Sequence, residues 1–186
     1  VSTIFYILLA ALMGTSVPAE PKGAAKVNQV LVTLKAPKAS KNAEKFLLSE
    51  SEINEFIQVA IKSKQRLGIK SIQLDLNEKG QLRAIATINM DEVKVDVTGT
   101  WLFKKVLSGT QVLKAEGKLV TARGKGHYEL DKAEFNGVWV PAWLAGAVVG
   151  FVGKKQPPHI DVTEEFALPY GITDVVLHSD RLEIVR

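Results

Sequence analysis

The 186-residue sequence contains no cysteine. That excludes a disulfide framework, a thiolate metal site and a thiol nucleophile, and leaves no lipobox for a lipid anchor. Arginine is scarce and dispersed: Arg66, Arg83, Arg123, Arg181 and Arg186 form no cluster of the kind that reads a phosphate backbone, so no nucleic-acid partner is expected. No H-E-x-x-H, P-loop or G-x-S-x-G occurs, and Gly124-x-Gly126 lacks the third glycine of a dinucleotide fingerprint. His127, His159 and His178 stand alone, none with a second ligand at metal spacing, so neither a metal nor a cofactor is expected. His178-Ser179-Asp180 holds the residue types of a catalytic triad, but neighbours in a turn point in different directions and cannot form its relay. Turn chemistry accounts for them. Asp75, Asp96, Glu116, Glu164 and Glu165 read as solvated charge on strand faces and surface segments. The expectation is a protein that is not an enzyme, with an unrecognised hydrolase as the reading to keep beside it.

What is present fits one globular domain: 46% of residues are hydrophobic and 24% charged. The formal net charge of +4 favours acidic surfaces such as anionic lipid without demanding them. Ile4 to Met13 is an apolar core of signal-peptide length, and Val17-Pro18-Ala19 places small residues where a signal peptidase reads. Residues 1–19 are therefore expected to be a signal peptide cleaved after Ala19, giving a periplasmic or secreted chain. No Lys or Arg precedes that core, and the competing reading is an uncleaved buried strand or short anchor.

After a flexible lead-in at residues 20–27, Gln29 to Leu34 alternate as a first strand, and Ala36 to Lys45 have the composition of a surface loop. Ser49 to Leu67 reads as a helix. Ser49 is the N-cap, Glu52 completes a capping box, Leu48 can staple against Ile53, and Ile53, Phe56, Ile57, Ala60, Ile61 and Leu67 share one arc. Lys64 interrupts that arc and reads as a snorkelling side chain. Alternation then predicts strands at Ile72–Leu76, Leu82–Met90, Val93–Phe103 and Leu113–Leu119, another around Tyr128 to Phe135, one ending at Leu168, and a closing hairpin from Ile172 to Val185. The strands are local in sequence, with one apolar and one polar face, as in an antiparallel meander covered on one side.

Gly137 to Gly153, GVWVPAWLAGAVVGFVG, carries no charge until Lys154 and Lys155. It is shorter than the roughly 20 residues that cross a bilayer. Pro141 suits a helix start, and helical spacing puts Ala142, Gly146, Gly150 and Gly153 on a flat face and Leu144, Val148, Phe151 and Val152 on a bulky one. With the Ser49 helix this makes an α+β domain, a curved antiparallel meander wrapped around two helices. Gly99 and Gly117, lying in apolar strand faces, would let the sheet bend or a helix come close.

The segment from Asn136 to Leu144, the apolar helix, the stretch from Leu168 to Leu177 and the closing Arg181 to Val185 resemble the C-terminal half of small bacterial envelope proteins of the LmeA-like phospholipid-binding group. These are similar to the tubular lipid-binding (TULIP) superfamily. The resemblance covers roughly residues 46–186 and implies a lipid or another apolar ligand held between sheet and helix.

The residues themselves point to a slot between the sheet face of Val95, Val97, Trp101, Phe103, Leu113 and Leu119 and the helix face of Leu144, Val148 and Phe151. Lys104 and Lys105 follow Trp101, while Trp139 and Trp143 flank Pro141 and Lys154 and Lys155 close the run. Tryptophan beside lysine is the composition of a membrane-interface contact, so peripheral contact with an anionic membrane is expected. Two alternatives accompany this reading. All three tryptophans could be core residues, and the same fold with a filled core could be an envelope scaffold or protein-interaction module.

Overall fold

The structure, a computed structural model, describes residues 21–38, 42–63, 68–77, 80–93, 108–141 and 165–186. It is α+β, with antiparallel sheets and few helices. In chain order the described elements are α1 (Lys22–Lys35), β1 (Lys45–Ser49), α2 (Glu50–Ser63), β2 (Ile69–Leu76), β3 (Gln81–Asn89), the single turn α3 (Met90–Val93), β4 (Thr110–Ala122), β5 (Lys125–Phe135), β6 (Val138–Trp139), β7 (Phe166–Ala167), a 3-10 turn at Pro169–Gly171, β8 (Asp174–Leu177) and β9 (Arg181–Val185).

The first element corrects the sequence reading. Residues 22–35 form a helix where a flexible lead-in and a strand were expected. The alternation of Val30, Val32 and Leu34 suggested a strand, but the stripe that is buried is Ala24, Val27, Leu31 and Leu34, at helical spacing, and Val32 faces solvent. Tertiary burial overrides the strand preference of the valines.

Both ends of α1 are closed from far away in sequence. Pro21 offers no side-chain cap, and Glu55 Oε2 of α2 accepts from the Gly23 N–H at 3.0 Å instead. A Cβ on Gly23 would stand 2.5 Å from that same oxygen, so glycine is what admits the carboxylate. At the other end, the buried Arg186 guanidinium donates to the carbonyls of Thr33, Leu34 and Ala36 and to the Glu44 carboxylate. A cation on the last carbonyls of a helix meets the negative end of its dipole.

α2 forms as its sequence dictates. Glu52 Oε2 accepts from the Ser49 N–H at 2.8 Å and Ser49 Oγ accepts from the Glu52 N–H at 3.2 Å, the reciprocal capping box. Leu48 and Ile53 are buried in one cluster, and Phe56, Ile57, Ala60 and Ile61 complete the inner face. Lys64 and Leu67 lie outside the described residues.

The strands β2, β3, β4, β5 and β6 hydrogen-bond in that order, and β7 pairs with β5 at its other end. On the inner face, register sets Ile72, Ala86, Leu113 and Phe135 in one row and Leu74, Ala84, Ala115 and Ala133 in the next. α2 packs on β2 and α1 packs on α2, and both helices share a buried core with Ile72, Leu74, Ala84 and Ala86. On the outer face Asp75, Arg83, Glu116 and Lys132 succeed one another across four strands, an alternating charge row. Asp75 and Glu116 are thus part of a self-neutralising surface, and Glu165 pairs with Lys125.

The strand expected from Val93 begins differently: Met90 to Val93 form a helical turn, and Val95, Val97, Gly99, Trp101 and Phe103 lie outside the described residues. Gly117 does admit a close approach, but of the sheet's own parts. A Cβ there would meet the Glu129 carbonyl at 2.1 Å and the Tyr128 ring at 2.7 Å. The ring crosses this gap so that its hydroxyl donates to the Leu82 carbonyl at 3.0 Å.

The closing hairpin β8–β9 forms, but it pairs with β1 in a separate three-stranded sheet of order β1-β9-β8. β1 fell in a stretch read as loop and helix start, because a five-residue strand ending on an N-cap leaves little alternation to detect.

Candidate functional site

Of the nine residues expected to line an apolar slot, Leu113 and Leu119 are described. Val95, Val97, Trp101, Phe103, Leu144, Val148 and Phe151 lie outside the described residues. Leu113 and Leu119 are both buried on the inner face of β4, six positions apart, so about 20 Å of strand separates them. Leu113 sits in register with Ala86 and Phe135, and Leu119 with Tyr128. Leu119 belongs to the core that contains α1 and α2. That core includes the inner face of α1, a helix that sequence reasoning missed. The signal that could have found it was the 24, 27, 31, 34 spacing.

Of the residues expected at a membrane, Trp139 is described; Lys104, Lys105, Trp143, Lys154 and Lys155 are outside. Trp139 is 65% exposed and its neighbour Val138 67% exposed, so the alternative that all the tryptophans are core residues fails at this one. Both stand on the short edge strand β6, launched from β5 by Asn136-Gly137, whose φ angles of 49° and 78° give the tight hairpin turn that this dipeptide favours.

A polar clamp fixes this end of the sheet. Asn136 Oδ1 accepts from the Val112 N–H at 2.8 Å, the Asn136 N–H donates to the Val112 carbonyl at 2.8 Å, and Asn136 Nδ2 donates to Gln111 Oε1 at 2.6 Å. The buried Gln111 in turn donates to the Ser108 carbonyl. The Met90 N–H donates to the Gly109 carbonyl at 2.8 Å, and Asp91 Oδ1 accepts from the Gly109 N–H at 2.9 Å. Val93 and Ser108, the described residues on either side of positions 94–107, are thereby held at the same end of the sheet as the β5–β6 turn. Val140 donates to the Ala133 carbonyl at 2.9 Å, and Pro141 is the last described residue before position 165.

The titratable groups do not converge. His178 Nε2 lies 3.5 Å from Glu183 across the hairpin, with Lys45 on the same carboxylate at 2.8 Å, and these contacts, Lys45 first, hold Glu183 below the usual carboxylate range. The partner of His178 is thus neither Ser179 nor Asp180. His127 Nε2 is 3.3 Å from Glu129. Burial, reinforced by Asp131 and Glu116, pushes the Tyr128 phenol far above its ordinary value, so it stays a neutral donor. Among the described residues no three His, Asp or Glu side chains gather as a metal site, and no helix is long and apolar enough to cross a membrane.

Surface hollows among the described residues include two of substantial volume. One, of about 260 Å³, lies on the outer face between Arg83, Lys114, Glu116, Lys132 and Glu134. The other, of about 410 Å³, runs along α2 past Asn54, Glu55, Gln58 and Lys62 to Gln73. The first mixes charged side chains with Ile85, Ala115 and Ala133, the second sets Pro21, Val59 and Ile72 among its polar residues, and neither contains the residues expected to hold an apolar ligand. In comparisons with known proteins, no family model, no curated protein and no solved structure matches this chain.

Proposed function

We propose that the chain is an exported, non-enzymatic lipid-binding protein, periplasmic or secreted. It would hold an acyl chain or another apolar ligand between a curved sheet and the apolar segment that follows Pro141, in lipid transfer or envelope maintenance. The observation that carries this reading is the exposed Val138–Trp139 pair, on the end of the sheet to which both sides of the 94–107 segment are anchored. A half-bare indole costs contact with water that a lipid interface removes, and its ring suits headgroup depth. The lysines flanking the apolar stretches, Lys104, Lys105, Lys154 and Lys155, would add attraction to anionic headgroups. Burial of the acyl chain at about 0.8 kcal/mol per CH₂ would supply the affinity.

A second reading, an envelope scaffold or protein-interaction module, is favoured by the continuous buried cluster that residues of α1 and α2 form with Ile72, Leu74, Ala84 and Ala86. Native mass spectrometry of the chain purified from an exporting host without detergent, followed by organic extraction, separates the two. The lipid reading expects a stoichiometric adduct that extracts as a long-chain lipid. A clean apo mass, unchanged after incubation with anionic liposomes, would leave the module. Leu144→Asp and Val148→Asp are expected to abolish the adduct while the far-UV spectrum stays native.

A further inference from the structure

The free edges of the sheets are treated differently. The outward main chain of β2 is met by three side chains of α2 at four-residue spacing: Glu50 Oε2 accepts from Leu76 N–H at 2.7 Å, Asn54 exchanges two hydrogen bonds with Leu74 at 2.8 Å, and Gln58 donates to the Ile72 carbonyl at 2.7 Å. On β8, Thr121 Oγ1 accepts from the Val175 N–H at 2.9 Å, and its hydroxyl proton is within reach of the Asp174 carboxylate and of the Val175 carbonyl at 3.0 Å. β5 is covered by β6 and β7 at its ends, and between them Glu129, Asp131 and Lys132 supply charges of the kind that guard an edge.

Among the described residues β1 has no such guard. Glu44 and Arg186 exchange N–H···O bonds at 2.8 and 2.9 Å, and the Glu50 N–H donates to the Asp180 carbonyl, so the even-numbered residues of β1 face β9. Lys45 and Leu47 therefore direct their N–H and C=O groups away from it, and no hydrogen bond among the described residues reaches them. Ser49, next in that series, already gives its N–H to Glu52. Leu47 is 50% exposed, and Lys45, the one charge on this strand, is bound to Glu183 at 2.8 Å and so does little to guard the edge.

We propose that the β1 edge is a self-association surface, on which a second copy of this chain lays its own β1 antiparallel, Lys45 opposite the partner's Leu47 and Phe46 on the two-fold axis. The hydrogen-bond inventory selects this occupant. Two open residues meet two open residues, each pair exchanges both main-chain bonds, and Ser49 falls outside the paired stretch. The aliphatic stem of each Lys45 covers the partner's Leu47, while its ammonium remains on Glu183, so the two lysines approach with their charges already compensated. A strand this short buries an area at the low end of specific interfaces, which makes the dimer weak and concentration-dependent.

The absence of cysteine makes the test clean. Lys45→Cys and Leu47→Cys chains, mixed and mildly oxidised, are expected to give the heterodisulfide in excess over either homodisulfide, since hydrogen-bonded partners across an antiparallel pair have Cα atoms about 5.5 Å apart, within disulfide reach. Val176→Cys, exposed on β8, sets the level of random crosslinking. Sedimentation of the unmodified chain should show the mean mass rising with concentration towards twice the monomer. Leu47→Glu should abolish that rise with an unchanged circular dichroism spectrum. Heterodisulfide no more abundant than the Val176→Cys background, or a mass that stays monomeric at every concentration, overturns the proposal and leaves the edge solvated or open to a foreign strand.

Discussion

The two sides of the six-stranded sheet use apolar residues in opposite ways. On the β2 side Ile72, Leu74 and Leu76 are buried, and α2 closes the edge with Glu50, Asn54 and Gln58. On the β6 side Val138 and Trp139 are as apolar and stand exposed, although the turn beneath them is tied down by Asn136 and Gln111. Hydropathy does not distinguish these strands. What does is the polar chemistry around them, which on one side seals a core and on the other holds an apolar pair out in the solvent.

That contrast predicts large stability effects on the first side and binding effects on the second. Arg186→Ala should be the most damaging single change, about 3–5 kcal/mol in denaturant unfolding, because it strands Glu44 and the terminal carbonyls of α1. Ile57→Ala, in the centre of the α2 face, should cost about 2–4 kcal/mol by the same measurement. Asn54→Ala should cost about 1–2 kcal/mol and speed amide exchange at Leu74, whose main-chain partners it removes.

Glu52→Gln should act through pH. Burial raises the Glu52 carboxyl, but Lys26 and the Ser49 N–H outweigh it and hold it below its ordinary value of 4.5. A lowered folded-state value gives stability that is present above the ordinary value and lost as pH falls through the folded one. The glutamine variant should therefore lose part of the acid-side decline in melting temperature below about pH 4.5. An unaltered decline would remove Glu52 from the account. Trp139→Ala should change stability least, by about 0.5 kcal/mol or less, while weakening attachment to anionic vesicles in a flotation assay.

Much of the sheet was legible because its signals are local. The alternation of β2 to β5 and the turn at Ser179-Asp180 need only neighbouring residues, and so does the Ser49–Glu52 box. What was illegible depends on distant partners. α1 has no side-chain cap at its start, and the partners that close it are remote: Glu55 at one end and Arg186 at the other, neither foreseeable from residues 20–36. β1 is defined by β9, almost the whole chain away. Arg186 looked like one more dispersed cation until the fold set it on three carbonyls and a carboxylate. Of the candidate site, the sequence left Trp139 open between an interface and a core residue, and the fold exposes it; the burial of Leu119 against a core that contains α1 had no local signal either.

The most direct test is the fluorescence of a chain in which Trp101 and Trp143 are replaced by phenylalanine, leaving Trp139 as sole reporter, titrated with anionic vesicles that carry a brominated lipid. The account predicts water-exposed emission in buffer, then a blue shift and quenching on vesicle addition, both suppressed by salt. Emission that neither shifts nor quenches at saturating lipid would contradict it, and the exposed end of the sheet would have to be read as a surface for protein.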